Sequence, residues 1–462
     1  MRARPSATSP PLPGRNALDT AVTSPSPYRS HVNGSQVAAL SVFVVSYGAI
    51  VSGKVHRTIA AISGALVMAL VVLRGRDLAG IVNWDTLLFI FGMMVVIGSM
   101  ERAGVFRWLG LHTVRAAKLD PLRLFLFLPV LAAILSAFVD SITVMLFLGA
   151  LTVEICRVAR LRPLPLLIAE ITAANVGGAA TMVGDPPNVI LGTHFGLSFG
   201  DFVLGTGLIA VVAVIVNVAC FAWLFRKDIR AARDHFAEHP HERARALSLL
   251  DPKEAIGDRV LFAIGWVALA LVVGLLITHR LTGIPVGVVG SGSAAFVLLA
   301  GGPTTRTPTI LEAVDWMTLV FFAGLFLLVG GLESTGALAA LADVILSAGG
   351  GVGVVLTILL WVGAGGSAVV DNVPFAATMA PVIAHLSAAG LPLHPLVWAS
   401  ALGTDVGGNA TPIGASANVV GLAIYERTTG QRVRWGEYLR VALPTTVLVL
   451  VVINGLLLLI HT

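Results

Sequence analysis

Two stretches of this sequence place polar side chains beside residues that a helix cannot easily carry. The first runs Asn175-Val-Gly177-Gly178-Ala-Ala-Thr181-Met-Val-Gly184-Asp185-Pro186-Pro187-Asn188. The second runs Asp405-Val-Gly407-Gly408-Asn409-Ala-Thr411-Pro412-Ile-Gly414-Ala-Ser416-Ala-Asn418. Paired glycines and prolines interrupt helices, yet both stretches lie in apolar surroundings. A helix that unwinds there frees backbone N–H and C=O groups. At membrane depth such groups are tolerated only inside protein or facing a cavity. A half-helix N-terminus offers donors to an anion, and freed carbonyls suit a cation. Close Gly-mediated helix packing is the alternative, but packing alone does not call for Asp185-Pro-Pro-Asn188.

A second pair of candidates interrupts apolar runs with a carboxylate: Asp140-Ser141-Ile-Thr143 and Asp371-Asn372-Val-Pro374. A charge at membrane depth costs about 2.5–3.5 kcal/mol by insertion scales, so it needs a reason. One reason is a hairpin tip at which Asp, Asn, Ser and Thr oxygens face a small hydrated cavity. Hard oxygens suit Na⁺, with Asp140, Asp371 and Asp405 as candidate ligands, or the carboxyl carries a proton. The other reason is an Asp N-cap at a helix start.

The elements that must position these residues come in two copies. Trp84, Thr86, Leu87, Phe89, Gly92, Gly98, Glu101 and Gly104 recur as Trp316, Thr318, Leu319, Phe321, Gly324, Gly330, Glu333 and Gly336 at an offset of 232 residues. Ser136, Ala137 and Asp140 recur as Ser367, Ala368 and Asp371 at 231, and Gly177–Val189 recurs as Gly407–Val419 at 230. Two repeats around a linker are a common build of secondary transporters. The copies differ in charge: Asn175 aligns with Asp405, and Asp185 with Ala415. One half is thereby suited to a coupling ion and the other to substrate, unless the difference is drift.

Composition sets the class. Apolar residues make up 56% and charged residues 12%, with mean hydropathy +0.90. A soluble fold of 462 residues does not hide so much apolar surface, so soluble enzymes and disordered or fibrous proteins are excluded. The expectation is an all-α polytopic membrane protein of about 10–13 membrane segments, in a prokaryotic inner membrane. Lysine and arginine number 30 against 25 acids, which reads as cytoplasmic loops and lipid headgroups rather than nucleic-acid binding. The expected organisation is a disordered cytoplasmic tail at 1–35, a first repeat at 36–225, a polar linker at 226–259 and a second repeat at 260–462. The linker carries eight cations and seven acids. No cofactor is expected beyond a coupling Na⁺ or H⁺. Cys156 and Cys220 are isolated, and no P-loop occurs, so an ion gradient or a partner protein must supply energy. Glu101 and Glu333 read as helix-end residues, and Glu170 as a proton site or a partner for an arginine. His235, His239 and His241 read as a solvated run.

At Gly177–Ile190, Asp371–Phe375 and Gly403–Val420 the sequence resembles the ion transporter superfamily. The branch is the one holding arsenite permeases, NhaD-type sodium/proton antiporters and P-protein-like permeases, with a citrate-transporter-like membrane domain. The resemblance covers about residues 36–462. It implies inverted repeats, each with a re-entrant hairpin and a broken helix, in a homodimer. By that analogy the Asp140 and Asp371 segments are hairpin tips, and Gly177–Asn188 and Gly407–Asn418 are the unwound helices. An arsenite pump of this type would add an ATPase subunit. The first tip reads Asp140-Ser141 where the pattern has Asp-Asn.

The sequence thus reads as a secondary active transporter, an ion-coupled anion or oxyanion permease. Na⁺/H⁺ antiport and an uncoupled anion conductance are the alternatives. Ion and substrate contacts are expected at Asp140, Ser141, Thr143, Asn175, Gly177, Gly178, Thr181, Asp185, Asn188, Asp371, Asn372, Asp405, Gly407, Gly408, Thr411, Ser416 and Asn418.

Overall fold

Helix boundaries in this chain are written largely by caps. In the computed structural model, which describes residues 33–248, 250–301 and 307–462, Asp77, Asn83, Asp120, Asp140, Asp258 and Asp315 each accept a bond from a first-turn N–H. Such caps satisfy donors that the helix itself leaves free. Gly53, Gly196, Gly283 and Gly430 close helices in the left-handed conformation that favours glycine. The expected tail at 1–35 lies outside the described residues except for its last three.

In chain order the first half comprises α1 (Gly34–Ser52), α2 (Arg57–Val71), α3 (Leu78–Ile81), α4 (Trp84–Arg102), α5 (Val105–Ala117), α6 (Pro121–Ser136), α7 (Ser141–Val158), α8 (Pro163–Gly178), α9 (Pro186–Phe195), α10 (Phe199–Phe202) and α11 (Leu208–Leu224). Then come α12 (Arg226–Glu238) and α13 (Pro240–Ser248). The second half comprises α14 (Arg259–Thr282), α15 (Val286–Ala300), α16 (Thr307–Leu311), α17 (Trp316–Ser334), α18 (Ala337–Ser347), α19 (Gly351–Val369), α20 (Asn372–Ala388), α21 (Leu393–Gly407), α22 (Ser416–Thr429) and α23 (Trp435–His461). The described residues contain helices and no strand. Eight spans among them are long and apolar enough to cross a membrane, and α2, α6, α15 and α18 are shorter apolar helices. Outward-facing Leu204, Leu208, Val211, Ile215, Val267 and Leu281 remain exposed, as expected of a surface meant for lipid.

Segments that match in sequence pack in matching ways. Helix α6 lies along α8 as α19 lies along α21, and α4 lies along α15 as α17 lies along α2. The halves also interlock, because α9 packs on α20 and α22 packs on α7. Glycine permits the closest of these approaches. A Cβ at Gly177 would overlap the Ala133 backbone, and one at the matching Gly407 would overlap Ala364.

The described residues of the polar segment 226–259 are largely helical, in α12 and α13. Ile229, Ala232 and Phe236 recur at helical spacing and are buried. They join Leu111, Val114, Phe125, Leu128 and Ile155 in a second apolar cluster, so α12 caps one end of α5, α6 and α7. Arg233 pairs with Asp120 at 3.2 Å and Arg162 with Asp228 at 3.7 Å. The segment continues beside the end of α4, where Gly257 N–H donates to Ala103 O at 3.2 Å.

Gly407→Val is expected to lower the thermal unfolding midpoint in detergent, since overpacking costs about 1–3 kcal/mol. Gly274→Ala, whose Cβ would meet nothing within 4 Å, is expected to hold or raise it.

Candidate functional site

Four short segments converge: the α6–α7 tip, the α19–α20 tip, and the breaks between α8 and α9 and between α21 and α22. Each break is stitched by an asparagine on the following helix. Asn188 Nδ2 donates to Gly178 O at 3.0 Å and Thr181 O at 2.9 Å. Asn418 Nδ2 donates to Gly408 O at 2.8 Å and Thr411 O at 2.7 Å. Each break is also tied to its own half's tip, because Thr181 Oγ1 donates to Ala137 O and Thr411 Oγ1 donates to Ala368 O. Both asparagines are fully buried, so these bonds satisfy carbonyls that water does not reach.

At the tips the two halves part company. Asp140 is an N-cap: Thr143 N–H donates to its Oδ1 at 3.0 Å and Thr143 Oγ1 to its Oδ2 at 2.7 Å. Asp371 occupies the same helix-start position without a side-chain cap bond. Its Oδ2 accepts from Ser416 Oγ at 2.9 Å and from Arg57 Nη1 at 3.3 Å, while its Oδ1 is buried without a hydrogen-bond partner. In the first half the tip serine does the donating: Ser141 N–H and Oγ both reach Asp185 Oδ1, at 3.2 and 2.9 Å. A serine–aspartate bond thus joins tip to break in both halves, with donor and acceptor exchanged. Asn372 crosses the centre, with Nδ2 at 3.5 Å from Asp185 Oδ2 and 3.4 Å from Asp405 Oδ1.

A cavity of about 240 Å³ opens onto these tips. Of the residues expected to contact ligand, Asp140, Ser141, Thr143, Asp185, Asp371, Asn372 and Ser416 line it. Asn175, Gly177, Gly178, Thr181, Asn188, Asp405, Gly407, Gly408, Thr411 and Asn418 do not. They form the layer behind it, where Asn175 Nδ2 donates to Asn409 Oδ1 at 2.7 Å and Asn418 Oδ1 at 2.9 Å. Asp405 stands behind the lining and accepts from Asn372, which does line the cavity. Among the described residues no three His, Cys, Asp or Glu side chains converge on a metal-sized site. Glu170 is buried away from the cavity and accepts from Thr152 Oγ1 at 2.6 Å, so its partner is a threonine rather than an arginine.

The sequence reading missed Arg57. It begins α2, donates to Asp371, to Ser416 at 3.2 Å and to Thr318 at 3.0 Å, and lies over the Phe321 ring at 5.4 Å. Its only sequence signal is a cation opening the apolar run 57–73. Asp315 was equally unmarked, and Asn409 was named only as part of the second stretch. Arg57 is the one cationic side chain lining the cavity among the described residues, against the five carboxyl groups of Glu101, Asp140, Asp185, Asp315 and Asp371.

A second cavity, about 820 Å³, takes Asn83 from the start of α4 and Gly330 and Glu333 from the end of α17. The first takes Gly98 and Glu101 from the end of α4 and Asp315 and Thr318 from the start of α17. The matched glutamates thus stand one at each cavity, and the matched helices run oppositely between them. The two cavities share no lining residue. They are separated by about one helical turn, with Phe322, Val189 and Val373 on one side and Phe326, Ile190 and Ala377 on the other.

Asn418→Ala removes both stitches from the second break. Orphaned buried groups cost about 1–3 kcal/mol each, so a clear loss of thermal stability is expected in detergent. Asn188→Ala is expected to behave alike. An unchanged midpoint in both would show that the breaks are held by something else.

Comparison with known proteins adds the lineage. The family described as citrate transporter matches residues 47–403. An uncharacterized transporter of Mycobacterium tuberculosis is 36% identical over 414 residues, covering 87% of this chain and 94% of that protein. The human P protein is 30% identical over 500 residues, covering 91% of this chain and 59% of that protein. Among solved structures, the YdaH transporter of Alcanivorax borkumensis aligns with a TM-score of 0.55 at 14% identity, over 92% of this chain and 97% of that one. That likeness speaks for the fold. The matching family and the mycobacterial relative are named as transporters rather than enzymes, and the apolar helices place the chain in a membrane, the plasma membrane by its mycobacterial kin. The chain belongs to the citrate transporter family and is an integral membrane transporter.

Proposed function

We propose that the protein is a secondary active transporter that couples a small cation, Na⁺ or H⁺, to a small anion or oxyanion by alternating access. The observation that carries this reading is the cavity lining, five carboxyl groups and one guanidinium, with Asp140 and Asp371 on the tips, Asp185 at the first break, and Glu101, Asp315 and Arg57 at the ends of α4, α17 and α2. So many carboxylates repel an anion unless cations or protons neutralise some of them. An anion and a cation therefore enter best together. Helices that start at the breaks add positive dipole ends for the anion. Na⁺ would be held by single carboxylates with hydroxyl, amide and carbonyl oxygens, since no three acids converge on a metal-sized site among the described residues.

The inverted-repeat reading draws support from the matched helices α4 and α17, which present opposite ends to the two cavities. Positive charge favours a cytoplasmic location for the cavity that reaches the tips. Arg102, Arg115, Arg157, Arg162, Arg233 and Arg243 gather at that end, around α12, α13 and the 251–257 turn. The structure described is then inward-open. Helix α1 starts beside Gly336, at the other end of α17. The chain therefore enters α1 from the face opposite 226–259, whereas the sequence reading put the 1–35 segment on the cytoplasmic side.

The excess of acids favours a second reading, Na⁺/H⁺ exchange with no anion. Proteoliposomes loaded with a pH dye separate the two. Under an inward Na⁺ gradient, exchange alkalinises the lumen without any added anion. Coupled anion transport instead gives uptake of labelled citrate, succinate or phosphate that requires a Na⁺ or pH gradient. In either case Asp371→Asn is expected to reduce flux at least tenfold while the protein elutes as a folded species. Full flux in that variant would sink the assignment of the site.

A further inference from the structure

We propose that Arg57 is the anion-recognising residue of the cavity, and that Asp371 masks it until a cation neutralises Asp371. The inference rests on the cation-coupled anion reading above and assigns its coupling to one ion pair.

Three observations carry it. Arg57 is the sole cationic group lining the cavity among the described residues, and a guanidinium presents a planar fork suited to carboxylates and oxyanions. That fork is engaged in this structure by Asp371 at 3.3 Å and Ser416 at 3.2 Å. Only Nη1 of the fork makes those two contacts; Nη2 donates to Thr318 Oγ1 at 3.0 Å and the guanidinium carbon lies 5.4 Å from the centre of the Phe321 ring, two holds that do not involve Asp371. Arg57 can therefore release Asp371 without losing its place.

Asp371 is correspondingly half-satisfied. One carboxylate oxygen takes both Ser416 and Arg57, and the other is buried with no partner. A Na⁺ ion or a proton at that second oxygen meets its need and withdraws negative charge from the guanidinium. Nη1 is then free to donate to the anion while Nη2 keeps its bond to Thr318. Glu101, Asp140, Asp185 and Asp315 face the same space, so an anion meets net repulsion until this exchange occurs. Linkage makes the effect reciprocal. An anion on Arg57 removes the counter-ion of Asp371 and tightens cation binding by the same factor. Asp140, capped by its own helix and without a guanidinium, has no such mask.

The test measures cation affinity of the purified full-length protein in detergent, by Na⁺ titration at fixed pH and by proton uptake without Na⁺. Arg57→Gln is expected to tighten the responsive cation about tenfold or more, the scale of one opposite charge at this range. Thr318→Ala, which loosens the anchor and leaves every charge in place, is expected to shift affinity the same way by less. Arg57→Lys should restore most of the mask, and Asp371→Asn should abolish the response. Citrate, succinate and phosphate serve as anion probes. The one that is carried should raise cation affinity in wild type and not in Arg57→Gln. Unchanged cation affinity in both Arg57→Gln and Thr318→Ala would overturn the exchange, whatever anion is carried. Tightening in both with no anion effect in wild type would overturn the anion reading and this proposal with it, leaving an Na⁺/H⁺ exchanger with an internal arginine counter-ion.

Discussion

A helix that stops inside a bilayer must find new partners for the backbone groups it releases, because no water is there to take them. In this chain two asparagines meet that demand. Asn188 and Asn418 each bind two freed carbonyls of the break before them. The threonines of the breaks then fasten them to the hairpin tips. Everything else at the site follows from this stitching. The tips sit where the breaks hold them, the post-break helices cross to the other half, and polar side chains gather where a membrane protein would otherwise be dry.

On this shared frame the halves carry different charges. The first half puts its second carboxylate in the break, at Asp185, and satisfies it with the tip serine. The second half keeps its carboxylate at the tip, at Asp371, and satisfies it with the serine of the break and an arginine from α2. Asn372 links the two systems by spanning Asp185 and Asp405. A movement of one tip therefore disturbs the hydrogen bonding of both halves. Asn175, which donates to Asn409 and Asn418, and Arg57, which donates to Asp371, are further side-chain links between the halves.

Much of this was legible in the residues themselves. Breaks and tips announce themselves because Gly-Gly, Pro-Pro and Asp are costly in apolar runs, and because each costly pattern occurs twice. The cap role of Asp140 was an open alternative and proves to be its actual bonding, while the matching Asp371 bonds elsewhere; identical spacing cannot reveal which neighbour arrives. Arg57 was invisible for that reason. It has no counterpart in the matched set, and its partners lie 261 to 359 residues away in sequence. The 226–259 stretch read as a linker because its charge hid an amphipathic stripe, Ile229, Ala232 and Phe236, that only a docking surface makes meaningful. The crossing of α9 onto α20 and of α22 onto α7 is likewise a tertiary fact with no local signature.

The thin layer between the two cavities has an electrical meaning. A membrane potential falls across low-dielectric material, not across water. With water in both cavities, most of it drops over the single turn of Phe322, Phe326, Val189 and Ile190 rather than over a full bilayer thickness. Moving one charge through 100 mV is worth about 2.3 kcal/mol. The carboxylates of Asp185 and Asp371 line the cavity on one side of that layer, so under the cation coupling proposed above an ion arriving from the far side would already have crossed most of the voltage. On that reading the fold would concentrate the membrane's electrical driving force onto the turn between the two cavities.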